Sequence, residues 1–420
     1  MTNKDTLSTD SYKGVRDFYP EDMAIQRYIF DIWSQTAESY GFERYDASIL
    51  EPSILYKSKG AENAEMVNEQ TYTFIDRGGR EVTLRPEMTP TVARMIAAKR
   101  RDLSFPVRWY SIPNLFRYER PQRGRLREHY QLNCDMFGAN HYTADVEMIA
   151  LANQMLLNFG ADAGMFEIRV NNRATMRVAY NALGIGDDEK ITAITRLNDK
   201  KNKIPADEYL KELTKITKDE PLAKTIRKMI DSDDAGDNLV VAGLKELGIT
   251  NVKLDRSLAR GFDYYTGTIF EIFDISGENN RAMLGGGRYD NLTELFGGEP
   301  ISGIGFGMGD VTMRDFLATH GLLTSSITAP TLMILPTHEE YNLEAQKIAQ
   351  EFRNHDISVS VDLSSKKVGK KISDASTSYV AYVLVLGEDE IKNKTYILKN
   401  LEEKTEDTGT LSELILKLSV

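Results

Sequence analysis

The chain of 420 residues contains a single cysteine, Cys134, so neither an intramolecular disulfide nor a cysteine-held zinc site can form. Its five histidines show no H-E-x-x-H spacing; they read as structural or surface residues, and no metal centre is expected. No apolar run approaches the ~18 residues that a membrane span requires. No charged-then-apolar leader precedes Gly14, so the expectation is a cytoplasmic protein with no membrane partner. Positive charge is also in deficit. A formal net charge of −11 is the wrong sign for holding a nucleic acid by bulk electrostatics, and such a partner would have to be met by local basic patches.

Two such patches are present. The first is the run Phe116 to Gly138, whose centre crowds Arg120, Gln122, Arg123, Arg125 and Arg127 around Pro121 and Gly124. The two breakers make it a hairpin tip between strand-like flanks. Arg117 and Glu119 share one face of the first flank; Gln131, Asn133 and Asp135 share one face of the second. A solvated sheet face would explain the alternation, but the arginines point to a polyanion at the tip. The second patch is Lys366, Lys367, Lys370 and Lys371, read as one side of a helix. It is either a solvated face or an RNA contact.

Three further segments carry chemistry. In Arg260-Gly-Phe-Asp-Tyr264-Tyr265-Thr-Gly267, one guanidinium and a tyrosine pair stand beside two glycines. That is equipment for clamping a carboxylate or phosphoryl group, although an aromatic strand between two turns has the same pattern. Thr83 to Thr89 reads as a strand ending at Pro86 and feeding a helix from Pro90, with Glu87 and Thr89 at the strand end; a capping role for Thr89 is the alternative. Gly303-Ile-Gly305-Phe-Gly307-Met-Gly309 reads as a small-residue strand leading into a helix from Asp310 to Leu317. Its alternate glycines admit a flat ring or mark tight packing.

The length fits two or three domains. Ile25, Ile29, Ile32, Trp33 and Ala37 fall at helical spacing between Met23 and Tyr40, and Gly41 stops the helix. Residues 172–248 are rich in Lys, Asp and Glu and read as helical. Near the C-terminus Thr331–Leu335, Ile357–Val361 and Tyr379–Leu386 read as strands alternating with helices, the pattern of a separate α/β unit.

Taken in order, these segments resemble the histidyl-tRNA synthetase family of class II aminoacyl-tRNA synthetases. The octet at Arg260 and Gly286-Gly-Arg-Tyr-Asp290 look like the two segments peculiar to that family. The resemblance implies an α+β fold: an antiparallel-sheet catalytic core over residues 1–171 and 249–325, a helical insertion over 172–248, and a C-terminal α/β anticodon-binding domain over 330–420. It implies attachment of L-histidine to tRNA(His) through a histidyl-adenylate, with ATP as substrate, magnesium carried with it, and a homodimer.

Arg117 and Arg260 would then clamp the α-phosphorus as the histidine carboxylate attacks, the substrate supplying its own nucleophile. Glu119, Arg125, Gly305, Gly307 and Gly309 would serve ATP. The family's arrangement gives Asp135 and Tyr265 the two ring nitrogens of histidine, and Glu87, Thr89, Gln131 and Tyr264 its α-amino end, with Met88 where bacterial members commonly have glycine. Arg120, Gln122, Arg123 and the four lysines would meet tRNA. Two more departures stand out. Val311 and Thr312 occupy the positions of the family's Glu-Arg pair, Arg314 following about 200° further round the helix; Ser48 replaces the proline of the dimer-forming first motif. The alternative is a histidine-sensing regulatory subunit of ATP phosphoribosyltransferase, which generally lacks the C-terminal domain and the intact octet.

Overall fold

The computed structural model describes residues 7–58, 69–201, 204–232, 238–259, 264–279, 281–324 and 329–419. The chain divides into two compact units, Met1–Thr324 and Ser325–Val420. Among the described residues no helix is long and apolar enough to cross a membrane.

The strands of the first unit are β1 (Glu43–Arg44), β2 (Leu50–Pro52), β3 (Tyr72–Ile75), β4 (Glu81–Leu84), β5 (Val107–Ser111), β6 (Asn114–Phe116), β7 (Glu128–Phe137), β8 (Phe166–Asn172), β9 (Val252–Leu254), β10 (Thr268–Asp274), β11 (Ala282–Arg288) and β12 (Gly303–Gly309). The main sheet runs β1-β5-β7-β12-β11-β10-β8-β9, with β6 paired to β7; β2-β4-β3 form a small sheet. All pairs are antiparallel except β1 with β5 and β8 with β9.

Alternation decides what each face does. On β7, Leu132, Cys134 and Met136 enter the core, as do Ile304, Phe306 and Met308 on β12. Against them pack the helices Pro20–Ser39, through Ile29, Trp33 and Ala37, and Tyr142–Asn158. Each fully buried large side chain is worth about 1.5–3 kcal/mol, so this face fixes the strand register. The opposite face is left to Gln131, Asn133, Asp135 and the glycines of β12. The first helix begins with Pro20, where a missing N–H costs nothing, and stops at Gly41 with φ +77°.

Between β8 and β9 the helices Arg173–Ala182, Asp188–Asn198, Ala206–Thr217 and Glu220–Ile230 share a core of their own around Tyr180, Ile194, Tyr209 and Ile226. Its polar centre is satisfied internally: Tyr209 Oη donates to Asn198 Oδ1 at 2.7 Å, and Asn198 Nδ2 donates to Tyr180 Oη at 3.0 Å. The next helix, Leu239–Glu246, also falls within the predicted insertion, yet it packs elsewhere. Val240, Val241 and Leu244 join the main core, so the separate helical core ends at Ile230.

The second unit is a five-stranded sheet among the described residues, in the order β14 (Val359–Val361), β13 (Leu332–Pro336), β15 (Tyr382–Leu386), β16 (Tyr396–Asn400), β17 (Glu406–Gly409). β13 is parallel to both neighbours, and the helix Asn342–Arg353 buries Ala345, Ile348, Ala349 and Phe352 in its core.

The lysine run departs from its expected form. The helix spans Val368–Thr377, so Lys366 and Lys367 precede it and the four residues do not share one helical face. Lys371 is buried: Nζ donates to Pro336 O at 3.1 Å and Asp362 O at 3.2 Å, with Asp362 Oδ1 at 3.7 Å. Adjacent helical residues point about 100° apart, so Lys370 faces outward, where it pairs with Asp374, while Lys371 turns in.

Candidate active site

Across the non-core face of the main sheet, Arg169, Glu271, Gly285, Gly307 and Asn133 lie in register on β8, β10, β11, β12 and β7. Glycines at the two central positions remove the side chains that would fill the middle of the sheet. The result is a cleft of about 1160 Å³ whose lining includes Arg117, Glu119, Arg125, His129, Gln131, Gly307 and Gly309. A Cβ on Gly307 would stand 2.8 Å from Gln131 Cδ, so the glycine leaves just enough room for that amide.

Arg117, directly after β6, donates from Nε to Pro86 O at 2.9 Å. Burial holds its pKa below the usual arginine value, while the nearby Glu87 and Glu119 pull it back up. Glu119 is itself buried and forms an ion pair with Arg125, Oε2 standing 3.0 Å from Nε. The hairpin tip is present: Gln122 and Arg125 exchange backbone hydrogen bonds of 3.0 and 2.9 Å, leaving Arg120, Gln122 and Arg123 exposed. His129, read from sequence as structural or surface, borders the cleft instead. Burial, then the charges of Arg117 and Arg16, push its pKa down to about 3, so its imidazole is neutral near pH 7.

Deeper on the same face, Asp135 is opposite Gly305 and almost fully buried. Its Oδ1 accepts from Tyr289 Oη, a residue absent from the sequence-derived site, and its Oδ2 has no partner among the described residues. Burial raises its pKa to about 7, offset in part by the Tyr289 hydrogen bond. Tyr289 packs edge-on to Tyr264 at 5.9 Å between ring centres, and lies 6.4 Å from Tyr265; the latter two are 4.9 Å apart. Tyr264 Oη donates to the buried Glu87 at 3.0 Å. Gly303 and Gly305 make this possible, because a Cβ on Gly303 would stand 2.5 Å from the Tyr289 ring.

The sequence-derived residues therefore fall into two neighbouring groups. Arg117, Glu119, Arg125, Gln131, Gly307 and Gly309 line the open cleft; Asp135, Tyr264, Tyr265 and Glu87 form the buried layer, with the charge of Arg117 felt alongside Glu87 and Tyr264. Met88 is buried and precedes the helix Thr89–Lys99, which has no side-chain cap. Arg260 lies outside the described residues. Val311 and Thr312 line the cleft without offering a cation, and Arg314 is spent on Asp22 at 2.9 Å. Tyr289 had a signal in the Gly-Gly-Arg-Tyr-Asp segment; Glu271 and His129 had none beyond their strand parity.

A family model described as histidyl-tRNA synthetase matches residues 14–310, and one described as an anticodon binding domain matches 331–419. The chain is 42% identical to a histidine–tRNA ligase of Leptospira biflexa, with 98% of each chain covered, and 37% identical to one of Thermoplasma volcanium, with 97% of this chain and 98% of the relative covered. A crystal structure of histidyl-tRNA synthetase from Nostoc sp. PCC 7120 superposes with a TM-score of 0.80 over 98% of this chain and 99% of its own, at 22% identity, which speaks for the fold alone.

Proposed function

The chain belongs to the histidyl-tRNA synthetase family, and from that premise we propose that it joins L-histidine to tRNA(His) through a histidyl-adenylate, using the cleft over β7, β11 and β12. As a histidine–tRNA ligase it must bring the carboxylate of histidine onto the α-phosphorus of ATP, and those two anions repel until cations neutralise the gathering charge. Arg117 and Arg260 are the proposed clamp, with Arg125 toward the outer phosphates and Glu119 holding Arg125. The glycines of β12 admit the flat adenine. Magnesium arrives with ATP as part of that substrate.

The observation that carries the reading is the Oδ2 of Asp135, which has no partner among the described residues on this glycine-lined face. A buried carboxylate oxygen without a donor is costly, and an imidazole N–H would supply one. Asp135 and a phenol of the tyrosine cluster, Tyr265 in the family's arrangement, would read the ring; Glu87, Met88, Thr89, Gln131 and Tyr264 would surround the α-amino end. The exposed Arg120, Gln122 and Arg123 of the hairpin are suited to RNA phosphates, as are Lys366, Lys367 and Lys370 in the second unit. Lys371 would act only through the fold of that unit.

Exposed Leu50, Ile54, Phe74 and Ile75 on and beside the small sheet support a homodimer, to be checked by light scattering. A cytoplasmic location agrees with this substrate set. Exchange of labelled pyrophosphate into ATP, dependent on histidine, tests the whole reading. Equal exchange without histidine would overturn the amino-acid assignment, and substantial exchange by a well-folded Arg117→Ala variant would overturn the clamp.

A further inference from the structure

At the hairpin end of the open cleft two guanidiniums stand near one carboxylate. Arg125 takes Glu119, and Arg281, immediately before β11, lines the same space with no hydrogen bond or ion pair among the described residues. Its stem is nonetheless fixed. A Cβ built on Gly124, whose φ is +74°, would stand 3.1 Å from Arg281 Cδ and 3.6 Å from Thr312 Cγ2, so the hairpin tip rests on the arginine and on the start of the helix Asp310–Thr319. Thr312 Oγ1 donates to Met283 O at 3.1 Å, tying that helix start to β11 two residues beyond Arg281.

Burial holds the pKa of Arg281 below the usual value, and the next cause is the like charge of Arg125, which Glu119 counteracts. Two guanidiniums thus sit within Coulomb range of each other and share one carboxylate. The pair is left with one net positive charge and two sets of N–H donors directed at the same space, which suits an anion with several oxygens. A lone carboxylate would cancel that charge but has only two oxygens for two guanidinium forks; a polyphosphate offers oxygens to both.

We propose that Arg281 binds the β- and γ-phosphates of ATP together with Arg125. The start of the helix after β12 offers no cation at Val311 and Thr312, and Arg281, immediately before β11, contributes one instead. This rests on the reading of the cleft as an ATP site and adds to it a residue and a subsite.

Titration calorimetry on the full-length chain with ATP, inorganic tripolyphosphate and AMP, for wild type, Arg281→Gln and Arg281→Lys, tests the assignment. Arg281→Gln is expected to weaken ATP and tripolyphosphate about 10- to 100-fold while AMP is unchanged, and Arg281→Lys to retain part of the affinity. Unchanged ATP and tripolyphosphate binding overturns the proposal, as does a loss that includes AMP equally. The same holds if only tRNA binding suffers, which would make the anion an RNA phosphate. Wild-type protein that binds ATP and tripolyphosphate but shows no histidine-dependent exchange would sink the wider function while leaving these comparisons to judge Arg281.

Discussion

Replacing Asp135 by asparagine should make the empty protein more stable and the enzyme worse. The carboxyl is buried, and its pKa rises from the ordinary 3.8 to about 7. At about 1.36 kcal/mol per pH unit, that rise corresponds to on the order of 4 kcal/mol between the two protonation states. Because the folded value lies above the unfolded one, the contribution to stability is full below about pH 4 and is lost as pH rises through about 7. Asparagine keeps an acceptor for Tyr289 Oη and carries no charge to desolvate. The variant should therefore match wild type near pH 4 and exceed it by a few kcal/mol at pH 8, while histidine-dependent exchange falls roughly 10- to 100-fold. Trp33 and Trp109 both lie in the first unit, so urea unfolding followed by tryptophan fluorescence reports on the unit that holds the site. A variant that is no more stable than wild type at pH 8 would refute the burial penalty. One that also retained full exchange would remove Asp135 from histidine recognition.

His129 carries the opposite sign: its folded pKa of about 3 lies below the ordinary 6.5, so its contribution is present above pH 6.5 and fades as pH falls. His129→Gln should be less acid-labile than wild type between about pH 6.5 and 4, measured by the same unfolding experiment. Gly307→Val should abolish exchange with a stability loss of about 1–3 kcal/mol, since its side chain meets Gln131; calorimetry with ATP would show lost binding in a folded protein. Lys371→Ala should cost about 2–3 kcal/mol by leaving Pro336 O and Asp362 O without their donor, seen by thermal melting of the second unit. Lys366→Ala, by contrast, should leave stability within about 0.5 kcal/mol and weaken tRNA binding in a filter assay.

Much of the site was legible because a strand displays its chemistry with a period of two. Gln131, Asn133 and Asp135 alternate with Leu132, Cys134 and Met136, and the glycines of 303–309 alternate with Ile304, Phe306 and Met308; two faces, one for the core and one polar or bare, follow from that parity alone. The hairpin tip was equally readable from Pro121 and Gly124. The lysine run misled for a related reason: neighbouring helical positions diverge, and a sequence without helix bounds does not say which lysine turns inward. The helix Leu239–Glu246 has the composition of its surroundings, and its membership of the main core depends on Val240 and Val241 meeting a helix some ninety residues upstream in the chain, at Tyr142–Asn158.

By itself, the sequence determined strand parity, the cluster of arginines at a turn, the glycine-lined strand and the family resemblance that orders them, because these depend on residue type at short spacing. Only the tertiary structure decided that Asp135 is paired with Tyr289, that His129 borders the cleft, that Arg314 is occupied by Asp22 and that Arg281, beside Arg125, has no hydrogen bond or ion pair among the described residues. Each of those facts joins residues distant in the chain. Burial and charge pairing, which set what such groups can do, exist only once the sheet has brought them together.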